Sequence, residues 1–249
     1  MSTIQGVVIG LVKDLDDPDG LGRIRVLFPW LSDEELSGWA SIASPMAGKS
    51  RGYWYMPEVD DEVLIAFEHG DFDHPFVVGF LHNGVDVPPS DGIDVSVRRI
   101  RTVSGHVLEF DDRDGKERVT LKSQGGQTLE LTDSPKQIEL STTTGTKITL
   151  TDAPSEIKLA TVAGVTVTIN DTGGVTVSAP TGALTVNSLN ATVNATASCS
   201  VNASTLTLNG ATVSVNSGIA MFSGVVQCSA LITNAVVSTS YTPGAGNIW

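Results

Sequence analysis

The chain has 249 residues, enough for one large or two modest domains, and carries a formal net charge of −13. This acidity argues against nucleic acid as a partner. Residues 1–94 hold 17 of the 28 acidic side chains, which serve either solubility or the docking of a basic partner.

The N-terminus lacks a basic and then apolar signal segment, and no run of about 18 apolar residues occurs anywhere in the sequence. We therefore expect synthesis in the cytoplasm without a cleavable export signal. Cys199 and Cys228 lack metal-ligand spacing and lie in apolar segments, which predicts buried free thiols and no disulfide framework.

Residues 1–82 predict a compact β domain. Strand-like segments separated by turns rich in Gly, Pro and Asp lie at 6–12, 23–28, 39–42, 62–67 and 76–80. Five short strands in about 80 residues are typical of a small closed barrel, most commonly the OB-fold. The large side chains expected in its core are Trp30, Trp39, Trp54, Phe67 and Phe76.

Residues 83–102 contain Asn83-Gly84, Pro88-Pro89 and Asp91-Gly92, which are typical of a linker. The linker ends in a basic cluster at 98–101. These cations either pair with acids of a neighbouring subunit or stay solvated.

Residues 103–180 predict a β-meander. Triplets of an apolar, a polar and an apolar residue recur with a period near 19, at 108–110, 129–131, 148–150 and 167–169. A second set interleaves at 119–121, 138–140, 157–159 and 175–177. Each triplet of the first set follows a glycine and precedes an aspartate or an Asn-Asp pair, so the two sets predict hairpin-like pairs of strands.

Residues 181–218 carry the same kind of triplet at intervals of 7 or 8 residues, at 184–186, 191–193, 199–201, 206–208 and 213–215. From residue 161 onward Asp171 is the only Asp, Glu, Lys, Arg or His. Rungs this short predict a narrow β-helix, which residues 219–249 follow as a tip segment. Since 7 or 8 residues supply one side of a triangle, we expect three chains to intertwine as a homotrimer.

The motifs of the N-terminal domain also carry a family resemblance. They are GRIRVLFPW at 22–30, GWA at 38–40, PMAG at 45–48, PEVDDEVLIAF at 57–67 and EHGDFDHPFVVG at 68–79. In this order and spacing they resemble the OB domain of phage baseplate assembly protein V and of VgrG-type spikes. These proteins are the central spikes of contractile tails, type VI secretion systems and extracellular contractile injection systems.

The resemblance implies partners for each end of the chain. The OB domain is expected to dock on a trimeric hub protein at the end of the tail tube, supplied separately because this chain begins almost directly at the barrel. All four histidines precede the β-helix, so the iron-binding apex of some phage spikes is not expected. A PAAR-type tip protein is expected in its place, and the candidate docking residues are Phe222, Tyr241, Pro243 and Trp249.

Three acidic clusters could suggest chemistry, but each reads better as a turn. They are His69, Asp71, Asp73 and His74; the acids at 58–62; and the segment 111–115. The sequence has no nucleophile elbow, phosphate loop or zinc spacing. We expect no catalytic residue, no metal site and no cofactor, and therefore no enzyme.

The preferred function is structural: a trimeric needle seated on the hub that pierces the target cell envelope when the sheath contracts. It would touch the target membrane transiently and bind no nucleic acid. It would be made in the cytoplasm and assembled into a virion tail baseplate or an injection particle. The alternative is a β-helical glycan-binding tailspike or an adhesin, which predicts an aromatic groove with paired carboxylates, or an export signal and a flat threonine array.

Overall fold

The computed structural model describes residues 4–89 and 94–239 of the chain. The chain divides into two units, residues 1–186 and 187–249, which are considered separately below. The described residues contain sixteen β-strands, one 3-10 turn at Glu68–Gly70 and no α-helix. The predicted all-β class is confirmed.

The N-terminal strands lie close to the predicted segments. They are β1 (Val7–Asp14), β2 (Arg25–Leu27), β3 (Ser41–Ile42), β4 (Ala47–Gly48), β5 (Arg51–Gly52), β6 (Glu62–Phe67) and β7 (Pro75–Phe80). Five of them form one sheet in the order β2-β1-β6-β7-β3, and β4 and β5 form a separate hairpin. Isolated bridges join Ile24 to Ala40 and Leu27 to Leu36, so the free edge of β2 meets the chain that leads into β3 and closes the barrel.

The barrel core is aliphatic rather than tryptophan-rich. Its buried residues are Val12, Ile24, Val26, Phe28, Ala40, Val63, Ile65, Phe67 and Val77. Of the predicted core residues Phe67 is buried and Trp39 half-buried, whereas Trp30, Trp54 and Phe76 are exposed. That part of the prediction was wrong because alternation in the narrow strands turns the β-branched residues inward, while two of the tryptophans belong to loops.

Strand pairing assigns each loop to one of two ends of the barrel. Strands β1 and β6 pair antiparallel, as do β6 and β7, and β3 runs parallel to β7. The loops 28–40 and 68–74 therefore lie at one end, here called the distal end. The loops 15–24 and 43–61 lie at the other end, together with the chain that leaves β7 at Phe80, and this is called the linker end.

Nine strands form the second sheet. They are β8 (Val97–Arg101), β9 (Val107–Asp111), β10 (Arg118–Lys122), β11 (Thr128–Asp133), β12 (Lys136–Ser141), β13 (Lys147–Asp152), β14 (Ser155–Ala160), β15 (Thr166–Asn170) and β16 (Val175–Ser178). They pair antiparallel in chain order, and all eight predicted triplets lie on strands. The sheet starts at β8, inside the range predicted as linker, because residues 97–101 pair with β9.

The sheet has one apolar and one polar face. Directly opposed pairs repeat from strand to strand, such as Leu140 with Ile148 and Ile148 with Leu159. The residues between them, such as Thr149 and Lys158, point to the other side because side chains alternate along a strand. The triplet pattern therefore builds a continuous aliphatic ladder along one face.

One edge of this sheet is a column of equivalent turns. In each turn a glycine with positive φ donates its N–H to the residue three positions earlier, as Gly126 does to the carbonyl of Ser123 at 3.0 Å. The equivalent glycines are Gly105, Gly145 and Gly164, with φ between 81° and 93°. Successive turns touch, since Thr143 Oγ1 donates to the Gly125 carbonyl at 2.5 Å. The glycines before the predicted triplets thus provide left-handed turn positions.

The C-terminal unit contains no strand or helix among its described residues, 187–239. Its apolar triplet positions are well exposed in the single chain, from 56% at Val213 to 79% at Val193. Each rung is too short to fold back on its own chain, so these positions have no neighbouring strand to pair with.

Candidate interaction surfaces

The aliphatic ladder of the nine-stranded sheet lacks a covering layer in the single chain. Ten of its side chains are 38–66% exposed: Leu131, Ile138, Leu140, Ile148, Leu150, Ile157, Leu159, Ile169, Val175 and Val177. A continuous apolar surface of this length is a feature of protein interfaces rather than of solvent-facing sheets. The ladder is therefore the first candidate surface.

The polar face of the same sheet carries an ion-pair network across its first three strands. Arg99 donates through Nε to Glu109 Oε2 at 2.6 Å, and Arg113 donates through Nη2 to Asp111 at 2.5 Å. Arg118 lies 3.4 Å from Asp111, whose side chain is fully buried. The hydrogen-bonded guanidinium of Arg113 lowers the pKa of Asp111 far below its usual range.

This network answers part of the question raised by the basic cluster at 98–101. Arg98 pairs with Asp112 and Arg99 with Glu109 of the same chain. Arg99 also donates to the Pro89 carbonyl at 2.8 Å, so it ties the preceding segment to the sheet. An open cleft of about 700 Å³ lies beside these residues and is lined by both signs of charge, which favours a structural role.

The distal end of the barrel combines exposed apolar side chains with unpaired acids. Trp30 and Leu31 are 53% and 52% exposed, and Trp30 rests on the buried Phe28 with ring centroids 5.8 Å apart. The loop is ordered, since Ser32 Oγ accepts the N–H groups of Glu34 and Glu35 at 3.1 Å each.

The charge at this end has one sign. Residues 28–40 and 68–74 contain no lysine or arginine. They contain Asp33, Glu34, Glu35, Glu68, Asp71 and Asp73. With the exception of Asp71, these carboxylates have no hydrogen-bond or ion-pair partner within the described part of the chain.

The linker end carries a different aromatic surface. Tyr53 and Tyr55 stack with ring centroids 6.2 Å apart and border a cavity of about 270 Å³ together with Trp54. The Trp54 ring lies over Gly22, where an added Cβ would come within 2.0 Å of the ring. This end has mixed charge, because Arg23, Lys49 and Arg51 accompany its acids.

The cluster of His69, Asp71, Asp73 and His74 forms a turn, as predicted. Asp71 accepts the Asp73 N–H at 3.1 Å and contacts His74 Nδ1 at 3.0 Å. The backbone hydrogen bond from Asp73, followed by that contact with His74, lowers the pKa of Asp71. Its carboxylate is therefore engaged in capping the turn.

The other two predicted turns also form. The Glu58 N–H donates to Asp61 Oδ2 at 2.8 Å. Between β9 and β10 the Arg113 N–H donates to Asp111 at 3.2 Å, and Gly115 adopts a φ of 71°. Among the residues that the structure describes, no group of three or more His, Cys, Asp or Glu side chains is arranged to hold a metal ion.

Asp17 organises the loop between β1 and β2, which sequence reasoning read only as an acidic run. Its carboxylate accepts the N–H groups of Asp19, Leu21 and Arg23 at 3.1 Å each. The Arg23 guanidinium adds bonds of 2.9 and 2.6 Å. These bonds, led by the Arg23 side chain, lower the pKa of Asp17 well below its usual range.

We expect Asp17→Asn to lower the melting temperature of the barrel by several degrees at neutral pH, because an amide cannot accept all of these bonds. The folded pKa is depressed, so the wild-type contribution is full above about pH 4 and is lost as pH falls further. Thermal melts between pH 7 and pH 2.5 would test this. A variant that keeps the full wild-type loss below about pH 4 would contradict the assignment to Asp17.

Of the four candidate tip residues, Phe222 is described and is 72% exposed. Tyr241, Pro243 and Trp249 lie outside the described residues. Cys199 and Cys228 are free thiols, as predicted, but both are exposed in the single chain rather than buried. No helix formed by the described residues has the length and apolar character needed to cross a bilayer.

The sequence of the barrel identifies its class. Residues 8–82 match the family described as the type VI secretion system/phage-baseplate injector OB domain. The match coincides with the closed barrel of β1 to β7. The N-terminal domain is an injector OB domain.

Curated relatives point to the same class. The chain is 33% identical over 116 residues to the type VI secretion system spike protein VgrG3 of Vibrio cholerae, covering 43% of this chain and 11% of that protein. It is 26% identical over 138 residues to the spike protein VgrG1b of Pseudomonas aeruginosa, covering 50% of this chain and 19% of that protein. The chain is thus related to VgrG-type spikes and spans less than a fifth of the length of these relatives.

A third relative has a different printed role. The chain is 30% identical over 116 residues to the actin cross-linking toxin VgrG1 of Vibrio cholerae and covers 11% of it. That name describes a much longer protein.

Proposed function

We propose that this chain is the structural central spike of a contractile tail or injection-system baseplate, and that three copies form it. The observation that carries the proposal is the aliphatic ladder, continuous from β9 to β16 and open in the single chain. Its relation to VgrG-type spikes gives the particle in which such a trimer would act.

Three copies fit the ladder better than one or two. One copy leaves the ladder in water, and two facing sheets leave their lateral edges open. Three sheets around a common axis enclose the ladder and pair with one another, and the heterologous contact closes as a ring. The triplets at 184–215 then continue the same arrangement with one short strand from each chain.

The remaining parts of the proposal concern partners and action. The OB domain seats the needle on a trimeric hub at the end of the tail tube, and contraction of the sheath drives the needle through the target envelope. A PAAR-type tip protein caps the other end through the segment containing Phe222, Tyr241, Pro243 and Trp249. The nearly charge-free surface after residue 161 suits passage through an envelope, since no charge has to be desolvated.

The native mass of the purified chain tests the proposal. We expect a mass of three chains, each 26.1 kDa, that persists in detergent until the sample is boiled. A monomer at micromolar concentration would overturn the needle. The adhesin alternative would then be tested next.

A further inference from the structure

We propose that the distal end of the barrel is the surface that binds the hub, and that the hub presents an apolar recess with a basic rim. The inference rests on the proposed function and names the surface and the chemistry of the contact. It starts from the topology, which separates the two ends of the barrel.

The topology leaves the distal end free of the sheet that follows. The chain leaves the barrel from β7 at the linker end, and Arg99 holds Pro89 of the departing segment by a hydrogen bond of 2.8 Å. The loops 28–40 and 68–74 connect strands at the opposite end. A partner that meets the barrel opposite the needle must therefore contact these loops.

The surface there has the composition of a protein interface. Trp30 and Leu31 are about half-exposed and stand beside a ring of acids without partners in the described chain. Tryptophan is enriched among residues that dominate binding energy, and polar groups commonly form the rim around such anchors. Trp30 is held by Phe28 below it, so little conformational freedom is lost on binding.

The charge selects the occupant. Six carboxylates and no lysine or arginine lie in these two loops. A second copy of the same face, a nucleic acid or an anionic membrane would bring like charge against them, which is unfavourable. A basic partner gains from the same field. Among the partners that a baseplate spike requires, the hub is the one at this end.

The experiment measures binding of the purified hub protein from the same particle to the purified full chain by interferometry. Trp30→Ala is expected to weaken binding by about tenfold or more. The double variant Glu34→Lys with Glu35→Lys should weaken it by a similar factor and flatten its salt dependence. The matched controls at the linker end are Trp54→Ala and the double variant Asp16→Lys with Glu58→Lys, which should stay within about twofold.

Native mass and thermal melts of each variant show that assembly and folding are retained. If the distal variants bind as wild type, or the linker-end variants lose binding instead, the assignment is wrong. A wild-type trimer that does not bind the hub overturns the inference and leaves the trimeric needle standing. A monomeric wild type that binds the hub in a Trp30-dependent way overturns the needle and supports the inference.

Discussion

Ile169→Asp is expected to convert the three-chain particle into monomers. Ile169 lies on β15 within the aliphatic ladder, opposite Ile157 and Val175. In the proposed trimer three carboxylates, one from each chain, would be buried near the common axis. Each would cost several kcal/mol because it has no partner there. Native mass spectrometry should report the mass of one chain.

The neighbouring residue supplies the control. Thr168→Asp introduces the same charge one position earlier on the polar face, opposite Lys158. The variant should remain trimeric with a stability close to that of the wild type. If both variants dissociate, or if neither does, the ladder is not the interface.

Amide hydrogen exchange between residues 184 and 215 is expected to differ between monomer and trimer by about a thousandfold or more. In the single chain this segment forms no strand, so its amides are open to water. In the trimer each triplet pairs with strands of two other chains, and exchange requires local opening. Exchange followed by mass spectrometry on the wild type and on Ile169→Asp makes the comparison directly.

The barrel gives the internal reference for this measurement. Residues 62–67 form β6 between β1 and β7 and should be protected equally in both samples. A wild-type trimer whose segment 184–215 exchanges as fast as the monomer would show that the trimer stops at the nine-stranded sheet.

The order of strands was predictable from the sequence because two local signals agree. Alternating side chains mark β1, β6 and β7, and glycines mark the turns between the triplets of the meander. Both signals act over a few residues, which is the range that sequence reasoning sees best. The OB motifs at 22–30 and 57–79 added the identity of the barrel.

The core and the charges were less predictable. Trp30 and Trp54 were expected inside because of their size, yet both belong to loops and are exposed. Aromatic bulk does not report on burial when the strands already supply enough β-branched residues. The pairing of Arg99 with Glu109 depends on the register between β8 and β9, which composition does not reveal.

The distal surface was missed for a related reason. The acids at 33–35 and at 68–73 are far apart in sequence and appear as two unrelated clusters. The pairing of β6 with β7 and of β3 with β7 brings their loops to one end. Two facts were visible in the sequence: neither loop contains a basic residue, and one contains Trp30.

The column of turns makes the sheet modular. Gly126, Gly145 and Gly164 are spaced by 19 residues, and each interval adds two strands that repeat the pairing of the interval before it. Removing residues 147–165 would join two equivalent turn exits and shorten the stack by about 10 Å. The distance between the barrel and the far end of the sheet is therefore a copy number, which gene duplication or deletion can change in whole steps.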